Sequence, residues 1–459
     1  MTAPPPTAMT EMHPTATGAP ANSLPRLLGG IPAHGATSLE QHVAHHGPLP
    51  HVRDGRRRRA RERAEMLIDE VERSGLLGHG GAAFPMAKKM RAVAQASGRA
   101  IVVANGAEGE PPSRKDRTLL ELAPHLVLDG AILAAEALGA EEAIIAVGDS
   151  ADAAVQSVER AIAEYADRGD GAPRPVLATV PTRYLAGQES ALINHLGGGP
   201  AKPTFTPPMP FEQGLRRRPT LINNVETLAH LALIARHGAP WFRWLGTDKE
   251  PGSALVTLSG PVAGPGVYEI EHGASLSSLL EAAGGTTAGV CGVLLGGYAG
   301  TWIPAEEMHG MYLSREHLAP HGATLGAGVV LLLSDQACPV AETARVARWL
   351  ADQSARQCGP CMFGLDALAG TIEQIAAGTA RGRVGNEVER LAALTTRRGA
   401  CSHPDGSVRL IVSAVRAFKT DFASHMRHGP CDRCSRPAEL PLPGAGTGGQ
   451  AASRSRSRT

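Results

Sequence analysis

Three short apolar runs alternate with helix-period segments between residues 101 and 180, and this alternation constrains the fold most. Ile101–Ala104, Ala143–Val147 and a run near Val176–Val180 read as strands, while 127–138 and 151–166 read as helices. A β-α-β-α order argues for an α/β layer domain. The first strand runs directly into Asn105-Gly106-Ala107-Glu108-Gly109-Glu110-Pro111 and then Lys115-Asp116-Arg117. A strand that ends in a polar, glycine-containing loop is where open α/β sheets place ligands.

The flanking segments carry further candidates. Gly75-Leu76-Leu77-Gly78-His79-Gly80-Gly81-Ala82-Ala83-Phe84-Pro85 lets backbone approach a ligand closely, and free N–H groups there can cradle phosphate. Lys88 and Lys89 follow on a helix. A plain turn is the competing reading of such a cluster. Asn223-Asn224 stands before a helix at about 228–236 and serves either as a cap or as a ligand clamp. From about 252 to 334 the pattern changes to glycine-rich short strands around one helix, a β-grasp-like module. After Cys338 it becomes helical, with segments at 340–356, 363–377, 384–395 and 408–425 that suit a small bundle.

Cys358-Gly359-Pro360-Cys361 lies between two of these helical segments, with Cys401 forty residues beyond. Two thiolates separated by two residues can reach one centre, so zinc, an iron–sulfur cluster and a redox disulfide are all open. Seven cysteines in 459 residues, unevenly spaced, do not form a secreted disulfide framework. A reducing, cytoplasmic setting is expected. Cys291 and Cys338 read as packed thiols. Net charge is +1, which makes no electrostatic case for nucleic acid. No run of about twenty apolar residues exists, so no membrane-spanning helix is expected. Residues 1–55 and 431–459, rich in Pro, Ala, Ser and Gly, are expected to be disordered.

Read together, five stretches resemble motifs of the flavoprotein subunit of respiratory NADH dehydrogenase (complex I) and of related subunits of NAD-linked hydrogenases and formate dehydrogenases. Gly75–Pro85 is similar to G-L-R-G-R-G-G-A-G-F-P, and Asn105–Arg117 to N-A-D-E-x-E-P-G-x-x-K-D-R. Tyr184–Leu192 resembles Y-I-C-G-E-E-T-A-L, Pro219–Thr227 resembles P-T-x-x-N-N-V-E-T, and Gln357–Cys361 the end of S-C-G-x-C-x-P-C-R. The order and the spacing also match.

The resemblance implies a Rossmann-like α/β domain binding FMN and NADH (56–245), a β-grasp-like SLBB module (246–335) and a helical iron–sulfur domain (336–430). It implies FMN, NAD(H) and an iron–sulfur cluster, [4Fe–4S] or [3Fe–4S]. Carried over by position, Gly78, Gly80, Gly81 and Lys89 face the flavin phosphate. Asn105, Glu108, Gly187, Asn223, Asn224 and Thr227 belong to the flavin pocket. Phe84, Glu110 and Glu189 meet the nicotinamide nucleotide, the two glutamates as candidate catalytic groups. Cys358, Cys361 and Cys401 hold the cluster. A small ferredoxin-like iron–sulfur subunit is the implied acceptor, with a place on the periphery of a membrane complex.

The sequence departs from the family pattern at Leu77, His79, Ala83, Ala107, Gln188 and Thr206. In the cluster motif it departs at Ala355, Arg356 and Met362, and Ala355 stands where the first cysteine would be. His403, Cys431 and Cys434 are candidate substitutes for that ligand. A degenerate docking or nucleotide-sensing protein and a zinc-stabilised scaffold are the alternative readings.

Overall fold

The computed structural model describes residues 23–32, 35–50, 57–165, 173–380 and 384–443. The disorder expected at 1–22 and 444–459 lies outside the described residues.

Four strands form the first sheet: β1 (Ile101–Gly106), β2 (Glu142–Gly148), β3 (Arg174–Val180) and β4 (Thr220–Asn224). Their order is β3-β2-β1-β4 and every pairing is parallel. The continuous apolar runs of β1 and β2 follow from this, because a parallel sheet is covered on both faces. The helix Pro124–Leu138 is buried along nearly its whole length. It crosses the helix Val225–Phe242 so closely that a Cβ on Gly130 would lie 1.8 Å from the Leu228 carbonyl oxygen. Only glycine allows that contact.

The chain winds outward from β1 through β2 to β3, then returns to the other side of β1 for β4. The reversal makes a crevice at the carboxyl ends of β1 and β4, where an open sheet binds its ligand. Register places Asn105 opposite Asn224 and Ala104 opposite Asn223 at that crevice.

The second sheet comprises β5 (Ser253–Ser259), β6 (Gly266–Glu271), β7 (Val290–Leu295), β8 (Thr301–Pro304) and β9 (Val329–Ser334), ordered β6-β5-β9-β7-β8. The pair β5–β9 is parallel and the others are antiparallel. With the helix Leu276–Ala282 this is the expected β-grasp-like arrangement. The helices Pro339–Asp352, Leu365–Ala376, Val384–Thr395, His403–Ala417 and Lys419–His428 follow. They share one apolar core with Leu294, Trp302, Val329 and Leu331 of the second sheet. The single helix expected at 408–425 is two, broken at Phe418, whose ring packs on Trp302 at 5.2 Å.

Two stretches expected to be disordered are ordered. Leu27, Ile31 and Leu49 are buried in the α/β core, and Leu39–His46 is a helix. The Arg26 guanidinium donates to the carbonyls of Phe242 and Trp241, at 3.1 and 2.9 Å. Near the other end, Leu440 is buried and Glu342 accepts from the backbone N–H groups of Glu439 and Leu440, each at 3.1 Å. Composition misleads here because neither stretch has a core of its own. Each places a few apolar side chains in a core built by other residues, with charge-assisted hydrogen bonds holding the backbone. Among the described residues no single helix is long and apolar enough to cross a membrane.

Candidate functional site

The glycine loop closes on itself before it meets the sheet. Gly78 N–H donates to the Phe84 carbonyl at 3.0 Å, and Leu77 bridges Pro85. Thr227 Oγ1 accepts from the His79 N–H at 2.9 Å, which ties the loop to the start of the helix Val225–Phe242. Gly80 lies against Asn224 and Gly81 faces Gly326 of the β-grasp module, with φ +99°. Phe84 is 48% exposed at the mouth of the loop. Lys89 pairs with Glu189 and donates to the Ile222 carbonyl at 3.2 Å.

The two neighbouring asparagines do different things. Asn224 is the cap: its Oδ1 accepts from the Glu226 N–H at 3.0 Å, and its Nδ2 donates to Asp116 at 2.7 Å. Asn223 is buried, and its Nδ2 has no partner. A buried amide donor left unpaired costs about 1–3 kcal/mol, so an orphan at a ligand crevice points to a ligand. Asn105 joins the loops: its Nδ2 donates to the Gly187 carbonyl at 2.7 Å. A Cβ on Gly187 would lie 2.5 Å from the Ala107 carbonyl oxygen, so this glycine is needed for the close approach. Glu108 accepts from Ser113 Oγ and from the N–H groups of Asp116 and Arg117, at 2.5, 3.2 and 3.1 Å. It therefore supports the helix Lys115–Leu122.

A cleft between the two sheets is lined by Leu77, His79, Lys115, Glu226, His272 and Arg315, among others. Sequence reading did not single out Lys115 and Glu226 as site residues, although both lie inside the quoted motifs. His230 and His272 carried no sequence signal. Lys115 Nζ is 2.7 Å from Asp116 and 2.8 Å from Glu226. Burial opposes its charge, but the two carboxylates outweigh burial and raise it above the ordinary lysine range. His79, His230 and His272 cluster, with His79 4.9 and 5.8 Å from the other two rings. Burial lowers all three, His79 to about 3 and His272 to about 4, so they are neutral at pH 7.

Glu110 stands at a joint. Its Oε1 accepts from the Tyr298 N–H at 2.8 Å, and it also hydrogen-bonds Tyr184. Tyr184 packs edge-on against Trp349 and His403, at 5.2 and 5.5 Å. The loops of the α/β domain thereby touch the helices that flank the cysteines.

Cys361 is buried, and Cys358 and Cys401 are partly so. Burial, then the neighbouring Cys358 and Cys401 thiols, push Cys361 up to about 12. The N–H of Arg356 points at its sulfur, and that of His403 at Cys401. Ala355 is buried beside them, and the adjacent Ser354 Oγ is buried without a partner. His403 is buried and its Nε2 is bound to the Leu350 carbonyl at 2.9 Å, while its Nδ1 is buried without a partner. Cys431 and Cys434 lie against Cys338 and His425 instead.

The chain matches three family models in order: the Nuo51 FMN-binding domain over residues 71–233, the SLBB domain over 255–291, and the NADH-ubiquinone oxidoreductase-F iron-sulfur binding region over 341–425. The F 2 subunit of NADH-quinone oxidoreductase in Rhizobium meliloti is 33% identical over 380 residues, which covers 80% of this chain and 90% of that protein. The chain belongs to the family of NADH-quinone oxidoreductase F subunits. The F subunit of the Streptomyces coelicolor enzyme is 30% identical, over 80% of this chain and 84% of its own. An NAD+-reducing [NiFe]-hydrogenase chain in the H2-reduced state superposes with a TM-score of 0.73 at 32% identity. That match covers 79% of this chain and 62% of the hydrogenase chain.

Against the pattern of the F subunits, the residues present fit both groups that the family models name. The orphan Asn223 amide and the glycine loop suit a flavin and its phosphate. Three clustered thiols, with N–H groups aimed at two of the sulfurs, suit a cluster. Their ligand atoms do not all fall within 4.8 Å of one another, as those of a single-ion site would. The redox reading is favoured over a docking relic or a zinc scaffold at these cysteines. Two departures stand at positions of positive φ, where glycine is favoured. Ala83 has φ +48° and Arg356 has φ +55°, the left-handed region that costs a side-chain-bearing residue about 1–2 kcal/mol. Gln188 caps the helix Glu189–Leu196 by accepting from the Ala191 N–H at 3.0 Å.

Proposed function

We propose that this chain is the NADH-oxidising flavoprotein component of a multi-subunit oxidoreductase, passing electrons from NADH to an iron–sulfur centre and on to a partner. The observation that carries the reading is the buried, unpaired Asn223 amide at the β1–β4 crevice, beside the glycine loop. When bound, FMN would supply the change of electron number between a two-electron hydride donor and a one-electron carrier.

The backbone of Gly78, Gly80 and Gly81 and the charge of Lys89 hold the flavin phosphate. Asn105, Glu108, Gly187, Asn224 and Thr227 set the pocket wall through the hydrogen bonds and close contacts described above, and Asn223 donates to the flavin itself. Phe84, exposed at the mouth, offers an aromatic face to the nucleotide, and Glu189, paired with Lys89, meets the nucleotide as well. Glu110 serves at the joint between the pocket and the helical domain. Cys358, Cys361 and Cys401 are the cluster ligands. The neutral His79 leaves the cleft with less positive charge than the family's arginine would, so FMN is held more weakly than in a chain with the full pattern.

The acceptor is a small iron–sulfur subunit docking beside the cluster loop, where Met362 and Phe363 are 48% and 70% exposed. The assembly is cytoplasmic and peripheral to a membrane. The test is anaerobic purification of the full chain with flavin, iron and sulfide analysis and an NADH–ferricyanide assay. Bound FMN or FMN-dependent NADH oxidation is expected. A folded chain that shows neither thermal shift nor fluorescence quenching with saturating FMN would overturn the reading.

A further inference from the structure

Four residues outside the redox site converge at the start of the helix Pro339–Asp352. Cys338 is its N-cap, His425 comes from the helix Lys419–His428, and Cys431 caps the short turn Asp432–Ser435 that contains Cys434. All four ligand atoms lie within 4.8 Å of one another. The measured separations are 3.8 Å between the sulfurs of Cys431 and Cys434, and 3.4 Å between those of Cys434 and Cys338. His425 Nε2 is 3.4 Å from Cys338 Sγ and 3.8 Å from Cys434 Sγ.

A tetrahedral ion bonded at about 2.3 Å to sulfur and about 2.0 Å to nitrogen holds its ligands about 3.5–3.8 Å apart. The four measured edges run from 3.4 to 3.8 Å, close to those lengths. They are far longer than the ~2.05 Å of a disulfide. Cys338 and His425 are buried.

We propose that Cys338, His425, Cys431 and Cys434 bind one Zn2+ in a closed Cys3His site, separate from the iron–sulfur centre at Cys358, Cys361 and Cys401. Four protein ligands leave no open position, so the site is structural. Each thiol gives up its proton to solvent as its Zn–S bond forms, with no change of oxidation state. Backbone N–H groups face two of the three sulfurs. The Ala341 N–H points at Cys338 Sγ at 3.4 Å, and the Arg433 N–H points at Cys431. Three thiolates and Zn2+ sum to one negative charge, which the Arg433 guanidinium beside Cys431 faces while it pairs with Asp421. An iron–sulfur cluster spreads its thiolates over several irons, so four ligands converging on one point favour a single ion.

The site works as a staple. It fastens the segment after His428 to the first helix of the domain, and the far end of that helix leads into the Ser354–Cys361 loop. The segment continues to Glu439, which bonds Ser334, and to Pro441, whose carbonyl accepts from Tyr298 Oη at 2.7 Å.

The test uses the full chain, purified anaerobically and passed through a chelator, with zinc and iron measured per chain by mass spectrometry. One zinc is expected. Cys434→Ser and Cys431→Ser should lose zinc and keep iron, and Cys358→Ser should lose iron and keep zinc. If the serine variants do not fold, zinc-edge X-ray absorption of the unaltered chain decides, with three sulfurs and one nitrogen expected. A folded chain without zinc, zinc retained by Cys434→Ser, iron rather than zinc lost from it, or a disulfide involving Cys431 or Cys434 in the native chain would each overturn the proposal.

Discussion

Replacing Glu110 with glutamine should stabilise the protein at neutral pH and do nothing at pH 4.5. The Glu110 carboxyl is wedged against Gly297, where a Cβ would lie 2.5 Å from its carboxyl carbon. Burial outweighs its hydrogen bonds from Tyr298 and Tyr184 and pushes it from 4.5 up to about 8. In the unfolded chain the same group titrates at its ordinary value. Between about pH 4.5 and 8 the folded form therefore holds a proton that the unfolded form has released. The contribution to stability is complete below pH 4.5 and is lost as pH rises through 8. At about 1.4 kcal/mol per pH unit, the loss is on the order of 3 kcal/mol by pH 7 and about 3–5 kcal/mol in full.

Glutamine resembles the neutral acid and cannot ionise. Denaturant unfolding of both proteins, followed by tryptophan fluorescence from about pH 4 to 8, should give curves that meet at the acid end and diverge by about 2–4 kcal/mol at pH 7.5. Other shifted groups cancel in the difference. Curves that stay parallel across the range would refute the argument, because they would mean that Glu110 is ionised in the folded protein. The NADH–ferricyanide rate adds a second readout. An unchanged rate assigns Glu110 to the joint between domains, and a large loss assigns it to the reacting nucleotide.

Asn223→Ala should weaken FMN binding about three- to tenfold in a fluorescence titration, since one hydrogen bond is worth about 0.5–1.5 kcal/mol, while the apo protein melts no lower. Asn224→Ala should instead lower stability by about 1–2 kcal/mol in denaturant unfolding, because it removes a helix cap and the Asp116 bond. Ala83→Gly and Arg356→Gly should each raise stability by up to about 1 kcal/mol, measured the same way, by relieving positive φ at a side-chain-bearing residue. Ala355→Cys should raise iron per chain and slow its loss in air, whereas Cys358→Ser should abolish bound iron; equal iron in native protein and Ala355→Cys would mean that the corner is already filled.

The redox site was legible because its parts are local. The apolar run 101–104 followed by a polar glycine loop declares a strand end, and a β-α-β-α order leaves few ways to cover the strands. The motifs around Gly78, Asn105, Asn223 and Cys358 are each contiguous, so their spacing survives without knowledge of the fold. What the contiguous reading could not do was divide roles between neighbours. Asn223 and Asn224 are adjacent and identical in chemistry, but strand residues alternate in direction. The β1–β4 pairing and the Lys115–Asp116–Glu226 network then decide that Asn224 is the cap and is paired while the Asn223 Nδ2 has no partner.

Long-range closure accounts for the rest. Cys338 reads as a packed thiol in sequence because its partners are His425, Cys431 and Cys434, almost ninety residues or more away. Cys431-Asp432-Arg433-Cys434 lies in a stretch whose composition argues for disorder, as does the segment carrying Leu27 and Ile31. Composition measures whether a stretch can build a core for itself. It is silent on whether a few of its side chains can complete a core, or a coordination shell, built by residues hundreds of positions away. The order of the elements and the chemistry of their loops follow from short-range patterning. The membership of each site depends on which surfaces the packed helices and sheets bring within reach.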